Sequence, residues 1–386
     1  MSSVVNLQIL IIGGGIIGLS LARELKRRRI ENIGIIEKNP VCGNESSHAA
    51  AGMLAPQSEA DEADDFFQFC AASRDLYPSF AAAIFDETGV DVELDQSGTL
   101  YLAFNEKDAA ELERRFAWQQ KANLEVEKLS AAEILKIEPN VSPAIFGGLF
   151  FPNDWQVENR KLLTALRKYS VENGIEIFNE TEIKNLLIET GKITGAETSN
   201  EKFFAEKVVL ATGAWTSLIK IGNTDLPLKI APVRGQMLAF QTAEKLFSKV
   251  IYSPRGYIVP RRDGRVLAGA TVENAGFEKS VTAAGIEFLR GHTFEIAPRL
   301  ANLQMAEKWA GLRPSAADGL PVLGEFAGIE NLFVATAHYR NGILLAPKTA
   351  EILADKIIKN SASKFLEIFS PRRFQTAVEK TTFNHQ

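Results

Sequence analysis

The sequence predicts a mixed fold, in which an α/β body wound on a parallel sheet and discontinuous along the chain is joined to an α+β body built on an antiparallel sheet. Three observations predict it. The stretch Leu7 to Lys38 reads as strand, glycine turn, helix and second strand. Later segments switch to alternating strands with a hairpin turn, which cannot be laid into a parallel sheet without interrupting it. A length of 386 residues exceeds one core of ordinary size, so two bodies are the natural division.

Within the first stretch, the β-branched run Ile9 to Ile12 suits a strand buried on both faces of a parallel sheet. Gly13, Gly15 and Gly18 follow at the offsets of a dinucleotide-binding turn. The first permits the tight turn, the second lets backbone approach a pyrophosphate, and the third lets helix pack on strand. Leu19, Ala22 and Leu25 form the inner face of the helix, with Arg23, Lys26, Arg27 and Arg28 mostly facing away. The second strand, Ile33 to Ile36, stops at Glu37, where a carboxylate accepts both hydroxyls of an adenosine ribose. Together these features define a Rossmann-type nucleotide site; a similar unit without ligand is the alternative.

After a loop at 39–44, the small residues from Ser46 to Leu54 imply backbone close to something bulky, either a flavin dinucleotide or a tightly packed helix. His48 alone reads as a structural histidine. Phe66 to Phe85 is helical, with a stripe through Phe66, Phe69, Leu76 and Phe80. Val90 to Leu94 and Gly98 to Phe104 alternate as strands and mark the first crossing into the second body. There Lys107 to Lys121 is a charged amphipathic surface helix and Phe146 to Phe151 a strand, followed by a helix over Asn159 to Asn173. Gly174 to Phe178 and the turn at Gly191 rejoin the first body, and a buried strand from Lys207 ends in Ala211-Thr212-Gly213 ahead of Trp215.

Ala231 to Gln236 resumes the second body. Tyr257 to Pro260 and Val266 to Ala270 flank the hairpin turn Arg262-Asp263-Gly264, and this sheet is expected to roof a cavity over a cofactor. A helical pattern over Thr282 to Leu303 breaks at Gly291 and Pro298. The strands Trp309 to Leu312 and Leu332 to Ala335 precede a helix from about Ile343 to Lys359, and Thr381 to Gln386 is expected to fray. The expected division is 1–86, 152–228 and 307–386 for the cofactor domain, and 87–151 with 229–306 for the substrate domain.

Composition narrows the function. The chain is 46% hydrophobic and 24% charged with a net charge of -5, which gives no electrostatic footprint for nucleic acid. The basic run Lys26 to Arg29 fits the solvated end of the first helix. Two cysteines, Cys42 and Cys70, are too few for a disulfide framework and suit a reducing cytoplasm. No segment reaches the length of a membrane span. Homo-oligomerisation stays open.

Ala49 to Leu54, Tyr257 to Arg261, Trp309 to Pro314 and His338 to Pro347 carry a resemblance. At these residues the chain resembles the FAD-dependent amine and D-amino-acid oxidase superfamily, and within it the glycine oxidases of the thiamine pathway. The resemblance implies noncovalent FAD held by Gly13, Gly15, Ile16, Ile17 and Gly18 at the turn, Glu37 and Lys38 at the ribose, Ser46 and Ser47, then Ala51, Gly52 and Met53. Ile183 would meet the adenine side, and His338, Tyr339, Arg340, Asn341, Gly342, Ile343 and Leu344 the flavin ring. It implies substrate contacts at Tyr257, Arg313 and Arg340. Two positions depart from the pattern: Arg255 stands where glycine oxidases have histidine, and Val272 where methionine is expected.

The residues themselves support part of this. A guanidinium grips a carboxylate through two parallel hydrogen bonds that lysine cannot copy, and Arg313, set before Pro314, is the first choice for such a clamp. A structural pair with an acid of the other domain is its alternative. Tyr257 can add a hydroxyl donor, and period-two alternation puts Arg255 on the same side as Tyr257, at the rim or in the pocket. The amine oxidation needs no strong base, because the cofactor supplies the electron sink. Lacking a second dinucleotide fingerprint after Lys38, the chain is expected to pass electrons to oxygen or another acceptor rather than to a nicotinamide. Expected chemistry is therefore oxidative deamination of glycine, small N-substituted glycines or small D-amino acids, with peroxide released. A dehydrogenase passing electrons to a quinone and a flavin-binding protein without turnover are the alternatives.

Overall fold

The computed structural model of the chain describes residues 5–374, so the end at Thr381 to Gln386 lies outside the described residues. Its first sheet has ten strands. Val5–Ile12 lies parallel between Lys202–Leu210 and Ile33–Ile36, and the parallel run continues to Glu176–Phe178 on one side and Leu332–Thr336 on the other. Antiparallel additions, including the hairpin of Asn185–Glu189 and Lys192–Glu197, complete it. Alternation along the first strand explains its burial on both faces. Ile9 and Ile11 enter one apolar cluster with helices Ile16–Arg27, Asp65–Thr88, Asn159–Glu172 and Gly342–Lys359, while Leu10 and Ile12 enter a second cluster on the opposite face.

The second sheet has eight strands, in the order Met305–Ser315, Ala231–Gln241, Arg265–Gly269, Gly256–Pro260, Val250–Ser253, Thr99–Ala103, Gly147–Phe151 and Glu127–Leu129. All its neighbouring pairs are antiparallel except Val250–Ser253 with Thr99–Ala103. One face packs Leu238, Phe240, Ile258 and Ala268 in a cluster with residues of helix Ala283–Ile296. The other face presents Met237, Tyr257, Val259 and Leu267 in a cluster with Ala51. Met305–Ser315 pairs along its length with Ala231–Gln241, so residues 307–315, which the sequence places with the cofactor domain, stand in this second sheet.

Other expectations change for identifiable reasons. Val90 to Leu94 forms no strand: Val92 is buried within a loop, and its carbonyl accepts from Glu158 N–H. Gly291 does not interrupt its helix, which runs unbroken over Ala283–Ile296; the glycine has nothing within 4 Å of where a Cβ would sit, and an exposed helical glycine costs only about 1 kcal/mol. Arg23 does not face water. It is 2% exposed, bonded through Nε and Nη2 to Glu87 at 2.6 and 2.9 Å, with Phe80 and Tyr169 rings on its guanidinium.

The helix Gly342–Lys359 contains Pro347, which has no N–H to give the carbonyl of Ile343. The buried Tyr77 hydroxyl donates to that carbonyl at 2.5 Å, and Ser73 Oγ donates to the next one, of Leu344, at 2.7 Å. Helix Asp65–Thr88 thus repairs the break and fixes the first turn of its neighbour.

Candidate active site

A cavity of about 620 Å³ lies between the two sheets, lined from both, and falls within the size range of small-molecule and cofactor sites. Its two ends carry separate groups of charges. Around Lys38 stand Glu45, Glu37, Lys279 and Glu182, whereas around Tyr257 stand Arg313, Arg340 and Glu59.

At the first end, Gly13 has φ 108°, and a Cβ there would meet Ala211 O at 2.4 Å; Gly15 opens onto the cavity. Gly18 does not line it. A Cβ on Gly18 would lie 2.0 Å from Gly13 O, so this glycine allows helix and turn to touch and serves the cradle from behind. Ile16 and Ile17 line the cavity, and Ile16 N–H donates to Ser47 Oγ at 3.0 Å. Ser46 also lines it, with its hydroxyl donating to the carbonyl of Leu312 on the second sheet.

Glu37 differs from expectation in its free capacity. Oε1 accepts both N–H and Nδ2 of Asn39, at 2.9 and 2.8 Å, and Oε2 accepts Gly14 N–H at 3.0 Å. Each oxygen has two lone pairs, so one acceptor site on Oε2 remains for a ligand, not two. Lys38 sits over the Trp215 ring at 3.3 Å from its centroid, and burial lowers its pKa while the nearby Glu45 and Glu37 oppose the shift. Ile183 lines the same end.

Ala51, Gly52 and Met53 line the middle. Gly52 has φ 71°, and a Cβ on it would meet Val157 O at 2.1 Å. The fully buried Arg261 holds this segment, donating from Nη2 to Ala51 O at 2.7 Å and from Nη1 to Val157 O at 3.0 Å. His48, near in sequence, does not line the cavity.

At the far end, the strand Leu332–Thr336 turns into its helix through Ala337 and Tyr339, both left-handed at φ 59° and 48°. Such residues are strained without glycine, and they flank His338. His338, Tyr339, Arg340, Asn341, Gly342 and Ile343 line the cavity; Leu344 does not, and is buried in the helix packing behind. His338 Nε2 faces Thr349 Oγ1 at 3.2 Å, and burial lowers its pKa to about 3, so the ring is neutral at physiological pH.

Arg313 projects from Met305–Ser315 into the cavity. Its Nη1 donates to the carbonyl of Thr271 at 3.0 Å, and it makes no ion pair among the described residues. Gly235, on the paired strand, leaves the room: a Cβ there would lie 2.2 Å from the guanidinium. Tyr257 is buried beside it, with burial raising its pKa and the two arginines opposing that shift. Arg340 is differently placed, since its Nη2 pairs with Glu59 Oε1 at 3.1 Å and donates to Tyr252 Oη at 3.1 Å.

Arg255 is neither at the rim nor in the pocket. It sits in the turn between Val250–Ser253 and Gly256–Pro260, where period-two alternation does not apply, and it does not line the cavity. Its partners are Glu295 at 2.5 Å, Asp108 at 3.3 Å and the Phe104 ring. Val272 is 60% exposed and does not line the cavity either. The sequence reading missed Glu59, Tyr252 and Met237. Only the strand glycines Gly235 and Gly311 gave a signal, marking close approach to a side chain or helix.

A glycine turn at a helix start, an acid at the end of the next strand and a second sheet over the cavity define a dinucleotide-binding flavoprotein. The chain belongs to the FAD dependent oxidoreductase family, whose pattern matches residues 8–356, and its cofactor is FAD. It is 35% identical over 382 residues to the bifunctional protein ThiO/ThiG of Trichormus variabilis, covering 98% of this chain and 57% of that protein. The chain thus spans about half the length of that relative. It is 33% identical over 366 residues to glycine oxidase of Geobacillus kaustophilus, with 94% and 96% covered. The crystal structure of glycine oxidase from Geobacillus kaustophilus matches at a TM-score of 0.88 with 32% identity, covering 95% of this chain and 98% of that one. Among the described residues no helix is long and apolar enough to cross a membrane, and no acid, histidine and cysteine cluster could hold a metal.

Proposed function

We propose that the chain oxidises the carbon–nitrogen bond of glycine, small N-substituted glycines or small D-amino acids. The observation that carries this is Arg313, a cavity guanidinium with no ion pair among the described residues, standing beside the Tyr257 hydroxyl. Both suit a substrate carboxylate: the guanidinium takes its two oxygens and the tyrosine adds a donor. The eight-stranded sheet that supplies both then belongs to the substrate domain.

FAD, when bound, supplies the two-electron acceptor. Gly13 and Gly15 would leave room for its pyrophosphate, Glu37 Oε2 would accept one ribose hydroxyl, Ile183 would lie on the adenine side, and Ser47, Ala51, Gly52 and Met53 would border its middle. His338 to Ile343 would border the ring. The N-terminus of Gly342–Lys359, with the positive end of its dipole on the cavity, favours negative charge there. His338 stays neutral near pH 7, and no strong base is needed if the amine arrives or becomes neutral on binding.

With oxygen as acceptor, glycine, O2 and water give glyoxylate, ammonia and hydrogen peroxide. A place in supplying the imine for the thiazole of thiamine is supported by the similarity to a protein named ThiO/ThiG. Anaerobic mixing with glycine, sarcosine and D-alanine should bleach the flavin absorbance, and air should return it with stoichiometric peroxide. Bleaching without peroxide, alongside reduction of a quinone analogue, would make the chain a dehydrogenase; no bleaching by any small amine would leave a flavin-binding protein without turnover.

A further inference from the structure

Glu59 faces the cavity from the end of the short helix Pro56–Glu59, and this helix is anchored from outside itself. Buried Asp154 accepts the N–H groups of Gln57 and Ser58, at 3.0 and 2.6 Å, and the Ser58 hydroxyl at 2.6 Å. Arg115 donates to the carbonyls of Ser58 and Ala60, at 3.2 and 2.6 Å. Gln119 and Gln57 exchange a further pair of bonds. Such a segment carries its last side chain to a fixed place, because moving the backbone would strand several buried polar groups at once.

That place is beside Arg340, whose Nη2 lies 3.1 Å from Glu59 Oε1. The charged side chains around Tyr257 are Arg313, Arg340 and Glu59, two positive and one negative. With Arg340 already paired, this end of the cavity offers one guanidinium free of an ion pair among the described residues, and suits one anionic group. A second carboxylate, sulfonate or phosphonate on the substrate would have to lie against the Glu59 carboxylate or break its pair with Arg340. In a partly desolvated cavity like charges at such range repel strongly.

We propose that Glu59 is a specificity-determining residue that reserves Arg340 and limits the substrate to amines bearing a single anionic group. This rests on the carboxylate clamp proposed for Arg313. Without Glu59, Arg340 becomes a second anion site, and dianionic amines enter.

The test uses the FAD-loaded protein and the perturbation of flavin absorbance by acetate and by malonate. The unsubstituted protein should bind acetate at least tenfold more tightly than malonate. In Glu59→Gln the ratio should fall at least tenfold through a gain in malonate affinity, and turnover of iminodiacetate relative to sarcosine should rise similarly. Glu59→Met gives the same measurement if Glu59→Gln fails to retain FAD. Acetate binding with an unmoved ratio in both variants overturns the role of Glu59 while leaving the Arg313 clamp standing. If acetate leaves the flavin spectrum unchanged and does not compete with glycine, the clamp falls, and the role of Glu59 with it.

Discussion

At the nucleotide end of the cavity, bonds join residues close in sequence: Gly14 N–H reaches Glu37 across 23 positions. Around the helix Gly342–Lys359 and its supports the separations are an order larger, as in the 266 positions between Tyr77 and Ile343 and the 271 between Ser73 and Leu344. The first end is a supersecondary unit, whose turn geometry is set by glycine positions and whose acid follows on the next strand. The second exists only after two sheets meet. Local chemistry can specify the first, while the second depends on register, on where turns fall and on which arginine finds a partner.

The sharpest way to break this contrast is at the turn. Gly13→Ala combines a left-handed φ of 108° with a Cβ 2.4 Å from a backbone oxygen that cannot swing aside. FAD affinity should drop at least about a hundredfold, or the folded protein should not accumulate. Fluorescence titration of the apoprotein with FAD measures it, and stoichiometric flavin in the purified variant would show that the turn is not the determinant.

A change at the other end should separate substrate from cofactor. Arg313→Lys loses the planar fork, worth about 2 to 4 kcal/mol when desolvated, so the Michaelis constant for glycine should rise roughly 30-fold to several hundredfold. FAD affinity should stay within about twofold, since Arg313 stands with Tyr257 and not with the charges at the nucleotide end. An unchanged Michaelis constant would move the clamp to Arg340 despite its pair with Glu59.

These two ends also show what was legible from residues alone. Gly13, Gly15, Glu37 and the parallel strands follow from spacing and periodicity, and the hairpin at Arg262-Asp263-Gly264 follows from turn chemistry. Arg313 could be nominated by side-chain chemistry, but its lack of an acidic partner among the described residues could not be read. Glu59 was invisible, because Ala55 to Ala60 has no periodic pattern and the reason for its position lies in Asp154 and Arg115, far along the chain. Glu37 was read as free, whereas Asn39 and Gly14 already use most of its lone pairs.

His338 offers a test by pH at the far end of the cavity. Its pKa falls from 6.5 to about 3 on burial, so the unfolded chain binds a proton there that the folded one does not. The associated stability is present above pH 6.5 and is lost as pH falls toward 3, at up to about 1.4 kcal/mol per pH unit. Asp154 has the opposite sign: burial raises its pKa to about 6, so its contribution is present below 3.8 and lost as pH rises through 6. In His338→Asn the stability from urea unfolding should lose the His338 slope between pH 6.5 and 4 and keep the Asp154 one. Parallel curves for variant and parent across that range would show that His338 is charged in the folded protein.

The smallest effect is expected at Arg255, where sequence alternation and structure disagree. Its guanidinium binds Glu295 on the helix Ala283–Ile296 and Asp108 on the helix Glu106–Lys121, and covers Phe104. It therefore ties two surface helices to the turn before Tyr257 without touching the cavity. Partly exposed pairs of this kind contribute below about 1 kcal/mol each, with the long aliphatic stem adding some packing on the ring. Arg255→Ala should lower stability by about 1 kcal/mol, and less at high salt, where the lost pairs are already screened. Turnover and Michaelis constant for glycine should stay within about twofold, and the preference for glycine over D-alanine should not move. A gain toward bulkier D-amino acids would mean that the turn rearranges to put Arg255 beside Tyr257 once substrate is bound.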